Sequence, residues 1–231
     1  MATGLQINSK HSKLLPLWIT LAVIIVLLIA FGFYCYRYYT TGEKLPVPIP
    51  IPIASANSEV TETPITQQQI IQHEVAPERP RYLSISVLGI DKARILPVGV
   101  TENNELDTPS NIHDVGWYEK SASPGDGAPA VLVDGHNSGP TMGGVFQDLG
   151  NVNVGDEITI ERGDGTEYTY VVQENKSISL EELNNGVMQE MANSIDPRVQ
   201  GLNIISCTGN WIPQKQTYDS RQVVRAVLKD Q

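Results

Sequence analysis

A stretch without any charged residue, Leu14 to Tyr36, is the feature that most constrains what this chain can fold into. As a helix, its 23 residues would extend about 34 Å, which exceeds the roughly 30 Å hydrocarbon core of a bilayer. Trp18 lies near one end and the aromatic-rich group Phe33–Tyr39 near the other, as in interfacial belts. Because bulky residues follow the stretch where a cleaved signal peptide needs small ones, the pattern predicts an uncleaved membrane anchor.

The composition divides the chain into four parts. We expect a cytoplasmic tail at 1–13, the anchor at 14–36, an extracellular stalk at 37–81 and a folded domain at 82–231. Alternating prolines in Leu45–Ile53 predict an extended polyproline II rod, and the polar stretch Ala54–Arg81 predicts a flexible continuation. Basic residues flank the anchor almost equally, so the orientation rests on architecture: a short tail, one span and a large following domain favour a domain outside the cell.

The charge of the chain narrows the class of partners. The formal net charge of −10 argues against nucleic acid, because binding to phosphates requires a basic patch. No cysteine–histidine cluster has the spacing of a metal site and no phosphate-binding glycine loop occurs, so we expect neither metal nor cofactor. We expect His73, in the stalk, and His113, in a loop, to be solvated.

From about Tyr82 onward, short apolar runs alternate with Gly, Asp and Pro, which is typical of β-strands separated by turns. The predicted strands are Leu83–Ile90, Arg94–Val98, Ala130–Val133, Glu157–Glu161, Tyr168–Gln173, Leu202–Ser206 and Gln222–Leu228. Asp164-Gly165 supplies the tight turn of a hairpin between the fourth and fifth runs.

One helix is predicted, from Leu180 to Asn193, with Ser179 and Glu182 as its capping box. Gly186 weakens that helix. Seven or eight short strands with one helix in about 150 residues imply an all-β fold, a closed or nearly closed antiparallel barrel.

Cys207 is the only cysteine of the predicted external domain, since Cys35 falls in the anchor. A lone external thiol has no disulfide partner in its own domain, so it is either a buried apolar residue or a reactive group. Cys207 ends an apolar run, His136 ends another and Arg221 opens a third. Thiol, imidazole and guanidinium together are the groups needed for acyl transfer through a thioester.

Two further side chains near this candidate site carry expectations of their own. Arg225 follows Arg221 by four residues and should share its strand face, so one of the two is a candidate exposed salt-bridge partner. Asp134 precedes His136 by two residues, and we expect it to face solvent rather than to polarise the imidazole.

The domain from about Leu83 to Leu228 resembles the sortase family, most closely its class F-type members. The matching segments are Leu83–Ile90, Gly116-Trp117-Tyr118, Gly135-His136, Gly155–Ile158, Ser206–Gly209 and Tyr218–Val224. The resemblance implies a closed eight-stranded β-barrel with one or two short helices. It also implies that Cys207 is the nucleophile, His136 the general acid/base and Arg221 the transition-state stabiliser.

The same resemblance implies partners and a location. Its members cleave a surface-protein sorting signal similar to Leu-Pro-x-Thr-Gly after the Thr and pass the acyl group to a cell-wall or pilin amine. It places the domain outside a Gram-positive-type cell membrane, with lipid contacted by the N-terminal helix. The family usually carries Thr-Leu-x-Thr-Cys, whereas this chain has Asn203-Ile204-Ile205-Ser206-Cys207. Ser206, which keeps the hydroxyl, is predicted to contact the substrate together with Thr208 and Asn137.

Two other hypotheses remain open from the sequence. An L,D-transpeptidase-like enzyme that cross-links peptidoglycan uses the same thiol chemistry, but that family places Gly before its cysteine and Arg just after it. The other hypothesis is non-enzymatic: a stalked β-barrel that binds a surface partner, with Cys207 as a core residue.

Overall fold

The computed structural model describes residues 15–41, 60–101, 105–127 and 129–229. The predicted tail 1–13 and the proline-rich rod Leu45–Ile53 lie outside the described residues. The first described segment is a single helix, α1 (Leu15–Thr41), and its portion Trp18–Tyr36 is long and apolar enough to cross a membrane. Its large apolar side chains are exposed, as expected of a helix that has no protein core to pack against.

Eight strands of the described chain close into a barrel in the order β1-β2-β3-β4-β7-β8-β6-β5. The strands are β1 (Pro80–Ile85), β2 (Ile90–Val98), β3 (Val115–Tyr118), β4 (Ala130–Gly135), β5 (Glu157–Arg162), β6 (Glu167–Ser179), β7 (Gly201–Ile212) and β8 (Thr217–Leu228). The described helices after α1 are α2 (Gln67–Ile71), α3 (Leu180–Glu182) and α4 (Met188–Glu190), with 3₁₀ turns at Ser86–Leu88 and Leu149–Asn151 and a π turn at Leu183–Val187.

The closed barrel is confirmed, but its predicted antiparallel pairing is wrong at two places. β2 pairs with β3, and β4 with β7, in parallel, while the other neighbours are antiparallel. Parallel pairing needs a long connection, and both of these pairs are joined by one. Local hydrophobic patterns carry no information on the direction in which distant strands pair.

The predicted strands are confirmed within wider bounds, apart from Leu83–Ile90. That run covers the end of β1, a 3₁₀ turn and the first residue of β2. The turn ends at Gly89, which takes a left-handed φ of 68° and so separates the two strands. The hairpin of β5 and β6 is as predicted, with Gly165 at a φ of 83° in its turn. β3 is absent from the predicted strands, since it has only four residues and one of them is a glycine.

Alternation along the strands creates two apolar clusters on opposite faces of the sheet. On β4, Val131 and Val133 face the barrel interior, where they join the main core. Leu132 faces outward and packs with Ile205 of β7 and Val223 of β8 in a second cluster. The segment between β6 and β7 covers this outer cluster with Leu183 and Met191.

The predicted helix Leu180–Asn193 forms only in pieces. Its capping box, Ser179 with Glu182, is present, and α3 follows it. Gly186 takes a φ of 137°, outside any helical region, and so breaks the helix within the π turn, between α3 and α4. The glycine that was expected to weaken the helix therefore breaks it, and packing against the barrel shapes the segment instead.

A buried polar network fastens this broken segment to the barrel. Asn203 of β7 donates through Nδ2 to the carbonyls of Met191, at 2.8 Å, and Asn193, at 2.9 Å. Arg225 of β8, opposite Asn203, donates to the same Asn193 carbonyl at 3.1 Å and pairs with Glu190 at 3.7 Å. Arg225 is thus the salt-bridge partner of the two arginines, but it is buried rather than exposed.

Residues 60–81 differ from the free stalk predicted for them, because they lie against the barrel. The Thr61 amide donates to the Ser110 carbonyl at 2.8 Å, and the Thr61 carbonyl accepts from the Ile112 amide at 3.0 Å. The Glu62 carboxylate accepts bonds from the amide and hydroxyl of Thr141. Polar composition alone predicted flexibility, whereas these backbone and carboxylate bonds need partners that only the folded barrel supplies.

A chain that begins at residue 82 should be less stable than one that begins at residue 60. Removal of 60–81 exposes Tyr82, whose ring packs edge-on against His73, and leaves the partners of Thr61 and Glu62 without their bonds. We expect a melting temperature lower by roughly 5 °C or more, since each kcal/mol corresponds to about 2–4 °C at this size. Thermal unfolding by circular dichroism measures the difference, and equal melting temperatures contradict the packed segment.

The two outward arginines of β8 should differ in their effect on stability. Arg225→Ala removes one of the two donors to the Asn193 carbonyl and leaves the Asn203 amide oxygen without its donor, so we expect a loss of about 1–3 kcal/mol in the free energy of unfolding. Arg221→Ala, the matched control on the same face, removes a half-buried side chain and should cost less. Urea denaturation monitored by tryptophan fluorescence tests this, and a larger cost for Arg221→Ala contradicts it.

Candidate active site

The strand register brings three chemically distinct side chains to one end of the sheet. Cys207 of β7 is directly opposite Arg221 of β8, a position at which Cβ atoms of antiparallel strands lie about 4.5–5.5 Å apart. Gly135, the last residue of β4, pairs with Ser206 of the parallel strand β7. His136 therefore follows β4 at the level of Cys207, one strand spacing away, about 4.8 Å. The thiol lies between the imidazole and the guanidinium in strand order.

The His136 ring is held by a backbone carbonyl. Its Nε2 is 2.7 Å from the carbonyl oxygen of Pro109. Because a carbonyl oxygen can only accept, Nε2 must carry the proton, and in the neutral ring Nδ1 remains as the acceptor. Burial lowers the pKa of His136, and the bond to Pro109 opposes that effect only in part. The neutral imidazole with a fixed tautomer is therefore the favoured form.

The Cys207 thiol is also kept neutral by its surroundings. Burial raises the pKa of Cys207, the positive charge of Arg221 works against that increase, and negative charge on Asp134 adds to it. The residue is nevertheless partly exposed, unlike Ser206 before it. Thiol and imidazole are thus both predominantly uncharged, and a thiolate–imidazolium pair is the minor form.

Arg221 is fixed by the first residues of its own strand, β8. Its Nη1 donates to the carbonyls of Tyr218, at 3.0 Å, and Ser220, at 2.9 Å, and its Nη2 donates to the Thr217 hydroxyl at 2.8 Å. A guanidinium has five N–H groups, so the contacts of the described residues leave Nε–H and one Nη2–H available. Two fixed donors on one cation suit an oxyanion.

A tyrosine that sequence analysis did not single out connects two sides of the site. The Tyr218 hydroxyl and the Ser138 hydroxyl are hydrogen-bonded at 2.6 Å, which ties the loop after His136 to the strand that carries Arg221. Trp211 packs edge-on against the Tyr218 ring, with centroids 5.4 Å apart. The only signal in the sequence was the position of Tyr218 three residues before Arg221, and it does not predict a bond across 80 residues.

The expectation that Asp134 faces solvent is wrong. The side chain is only 6 % exposed and lies on the outer face of β4, beneath the segment that contains Thr108. Burial raises the pKa of Asp134 to about 8, so the carboxyl is largely protonated at neutral pH. Because the connection between β2 and β3 crosses this face, a residue that alternation alone assigns to the surface is covered.

The three predicted substrate-contacting residues differ in what they touch. The Ser206 side chain is buried and its hydroxyl donates to the Gly135 carbonyl at 2.8 Å, so it fastens β7 to β4 and is not free to bind a ligand in this structure. Thr208, which follows Cys207 on β7, and Asn137, which follows His136, are both partly exposed. Their contact with a substrate stays a prediction.

The two histidines that were expected to be solvated are not. Burial lowers the pKa of His73, whose Nε2 lies 3.0 Å from the Ile95 carbonyl. The Nε2 atom of His113 is buried without a partner among the described residues. Both changes follow from the packing of residues 60–81 over β2. No group of three or more His, Cys, Asp or Glu side chains in the described ranges is close enough to hold a metal ion.

Comparison with known proteins places this geometry in a family. The family model described as the sortase domain matches residues 83–229. The structure is similar to sortase C1 from Streptococcus agalactiae, with 19% identity, coverage of 72% of this chain and 78% of that chain, and a TM-score of 0.47. It is also similar to a lid mutant of sortase A from Corynebacterium diphtheriae, with 22% identity, coverage of 71% and 77%, and a TM-score of 0.47.

A third similar structure is a sortase D5 transpeptidase from Clostridium perfringens, with 20% identity, coverage of 71% of this chain and 86% of that chain, and a TM-score of 0.46. No curated protein sequence matches the chain. The matched domain covers more than half of the chain and includes His136, Cys207 and Arg221. The protein therefore belongs to the sortase family, whose members are cysteine transpeptidases.

Proposed function

We propose that this protein is a membrane-anchored transpeptidase of the class F type that cleaves a sorting signal similar to Leu-Pro-x-Thr-Gly. The observation that carries the proposal is the register that aligns Cys207 with Arg221 and sets His136 beside them, inside a matched sortase domain. The acyl group passes to an amine of the cell wall or of a pilin subunit. Helix α1 contacts membrane lipid and leaves the barrel outside a Gram-positive-type cell.

The first half of the reaction forms a thioester. The Cys207 thiol gives its proton to Nδ1 of His136, and the resulting thiolate attacks the carbonyl carbon of the Thr in the signal. The oxygen of the tetrahedral intermediate accepts hydrogen bonds from the free N–H groups of Arg221. The C–N bond breaks as the imidazolium donates its proton to the leaving amine, which departs with the C-terminal part of the signal.

The second half resolves the thioester. An incoming amine loses a proton to the neutral His136 and attacks the same carbonyl, and the C–S bond breaks. The thiolate then recovers the proton from the imidazolium, so the resting neutral pair is restored. Water can replace the amine and gives hydrolysis instead of transfer.

The apolar side chains at the outer cluster favour the proposal that a peptide substrate binds beside this thiol. Leu132, Ile205 and Val223 lie on the same outward faces of β4, β7 and β8 as Cys207 and Arg221. The segment of α3 and α4 buries this cluster, and the partly exposed apolar side chains packed against it, among them Leu180, Val187 and Met188, form an apolar wall beside that face. Leu and Pro side chains of a sorting signal suit such a surface.

Substitution of the three proposed catalytic residues tests the function. We expect Cys207→Ala to abolish both thioester formation and transfer, and His136→Ala to lower kcat/KM by several orders of magnitude, because no group then accepts the thiol proton. Arg221→Ala should lower kcat by about 10²–10³, the typical cost of one oxyanion donor. The measurement uses a fluorogenic sorting-signal peptide with an added amine, and mass spectrometry of the trapped acyl-enzyme.

Cys35→Ala is the matched control for this series, since it removes the thiol of α1 and should retain full activity. Circular dichroism establishes that each variant is folded. Peptide cleavage that persists in Cys207→Ala refutes the assignment of the nucleophile.

The raised pKa of Cys207 gives the thiol a recognisable pH dependence. In a Cys35→Ala background, alkylation of Cys207 by iodoacetamide should increase with pH and reach half its maximum above about 8.5, the ordinary thiol value. The direction follows because burial disfavours the charged thiolate, so deprotonation needs a higher pH. Mass spectrometry of the labelled protein gives the rate. A midpoint below about 8 contradicts the neutral resting pair.

A further inference from the structure

Asp134 is a buried carboxyl to which the proposed mechanism gives no role. Its Oδ2 accepts a hydrogen bond from the Thr108 hydroxyl at 2.5 Å. Its Oδ1 is buried and has no hydrogen-bond partner among the described residues. A buried carboxyl with one unsatisfied oxygen is costly, so its position close to the thiol and imidazole needs an explanation.

The segment that covers Asp134 is the same segment that holds His136. Thr108 donates to the Asp134 carboxyl, and the carbonyl of the next residue, Pro109, accepts the Nε2–H of His136 at 2.7 Å. Asp134 and His136 are two residues apart on β4 and its end, and Thr108 and Pro109 are consecutive on the segment across from them. Asp134 and His136 thus each form a hydrogen bond with one of two consecutive residues, Thr108 and Pro109, of the connection between β2 and β3.

The opposite neighbour of the carboxyl limits its movement. Gly116 of β3 pairs with Asp134, and a Cβ atom at residue 116 would lie 2.1 Å from Oδ1. The carboxyl therefore occupies the space that any other residue at 116 would fill. Gly116 on the neighbouring strand and Thr108 on the covering segment therefore confine the Asp134 carboxyl to one orientation.

The protonation of Asp134 is compatible with this arrangement. Burial raises its pKa to about 8, the Thr108 bond counteracts part of that shift, and the charge of Asp107 adds to it. The titratable group that acts on Asp134 is Asp107, from the covering segment, and Asp134 in turn acts on the pKa of Cys207, on β7. A neutral carboxyl can bind the Thr108 hydroxyl without placing beside Cys207 the negative charge that further raises the pKa of the thiol.

We propose that Asp134 is a positioning residue for His136: its bond to Thr108 fixes the Pro109 carbonyl, which in turn holds the imidazole as the Nε2–H tautomer with Nδ1 as the proton acceptor. The inference rests on the proposed function only in assigning His136 as the acid/base. The bond matters through its geometry and not through a charge. A residue of the same shape that can still bind the hydroxyl should therefore substitute for Asp134.

Matched variants on both sides of the bond test the inference in the full chain in detergent micelles. Asp134→Val and Thr108→Val remove the acceptor and the donor, and each should lower kcat by about 10- to 100-fold with little change in KM, since small displacements of a catalytic group have effects of this size. Asp134→Asn keeps an acceptor oxygen and Thr108→Ser keeps the hydroxyl, so both should retain kcat within about threefold. The double Val variant should lose no more than either single one, because both remove one shared bond.

A spectroscopic readout separates this inference from the proposed function. The ¹⁵N spectrum of the labelled imidazoles should show His136 as the Nε2–H tautomer in the original protein and in Asp134→Asn, and as a mixture in both Val variants. If His136→Ala remains active, the proposed function fails while the tautomer measurement still decides the role of Asp134. Should Asp134→Val not fold, Thr108→Val carries the test alone. A Val variant with an unchanged tautomer, unchanged kcat, or no rescue by Asn and Ser overturns the inference.

Discussion

The parallel pairing of β4 with β7, combined with the antiparallel pairing of β7 with β8, is the constraint on which the site depends. Gly135 pairs with Ser206, and Cys207 pairs with Arg221. A slip of one residue in either pair would turn the outward residues of a strand toward the core. The buried residues of both faces prevent such a slip, because Val131 and Val133 are required inside while Leu132 completes the outer cluster. The core therefore fixes the distance between the functional groups as well as the fold.

Burial favours the neutral form of the thiol and of the two titratable groups near it, Asp134 and His136. It raises the pKa of Cys207 and of Asp134 and lowers the pKa of His136, so each is driven toward its neutral form. The fixed positive charge nearby is Arg221, which favours the thiolate. A resting site with little charge protects the thiol from indiscriminate reaction, and proton transfer from thiol to imidazole creates the nucleophile when a substrate is in place.

Segments far from the thiol in sequence hold its partners in position. The Pro109 carbonyl holds the His136 ring, and the Ser138–Tyr218 bond ties the following loop to β8. Glu62 binds Thr141 in that same loop, so the segment 60–81 also contacts the loop that follows His136. On the other side, Asn203 and Arg225 secure the wall that covers the outer cluster. Asn203 stands where the family usually has Thr, and its two donated bonds give this departure a structural role.

Much of the protein could be predicted from the sequence, and most of the errors share one cause. The strand runs other than Leu83–Ile90, the β5–β6 hairpin and the capping box at Ser179 depend on local patterns, and the structure confirms them. The parallel pairs, the break at Gly186 and the packing of residues 60–81 depend on partners distant in sequence, and local patterns do not encode them. Asp134 illustrates the difference, because alternation placed it on the outer face correctly but gave no sign that Thr108 covers that face.

The sequence by itself determined which chemistry the chain can offer: one apolar helix long enough for a membrane, a β-rich domain, and a thiol, an imidazole and a guanidinium at the ends of strands. These follow from side-chain type and from periodicity, which are properties of neighbouring residues. The tertiary structure alone decided which nitrogen of His136 bears a proton, which arginine faces the thiol and which fastens a loop, and that a carboxyl is buried beside them. Those outcomes depend on contacts between residues 14 to 80 positions apart, and only the closed barrel brings such residues together.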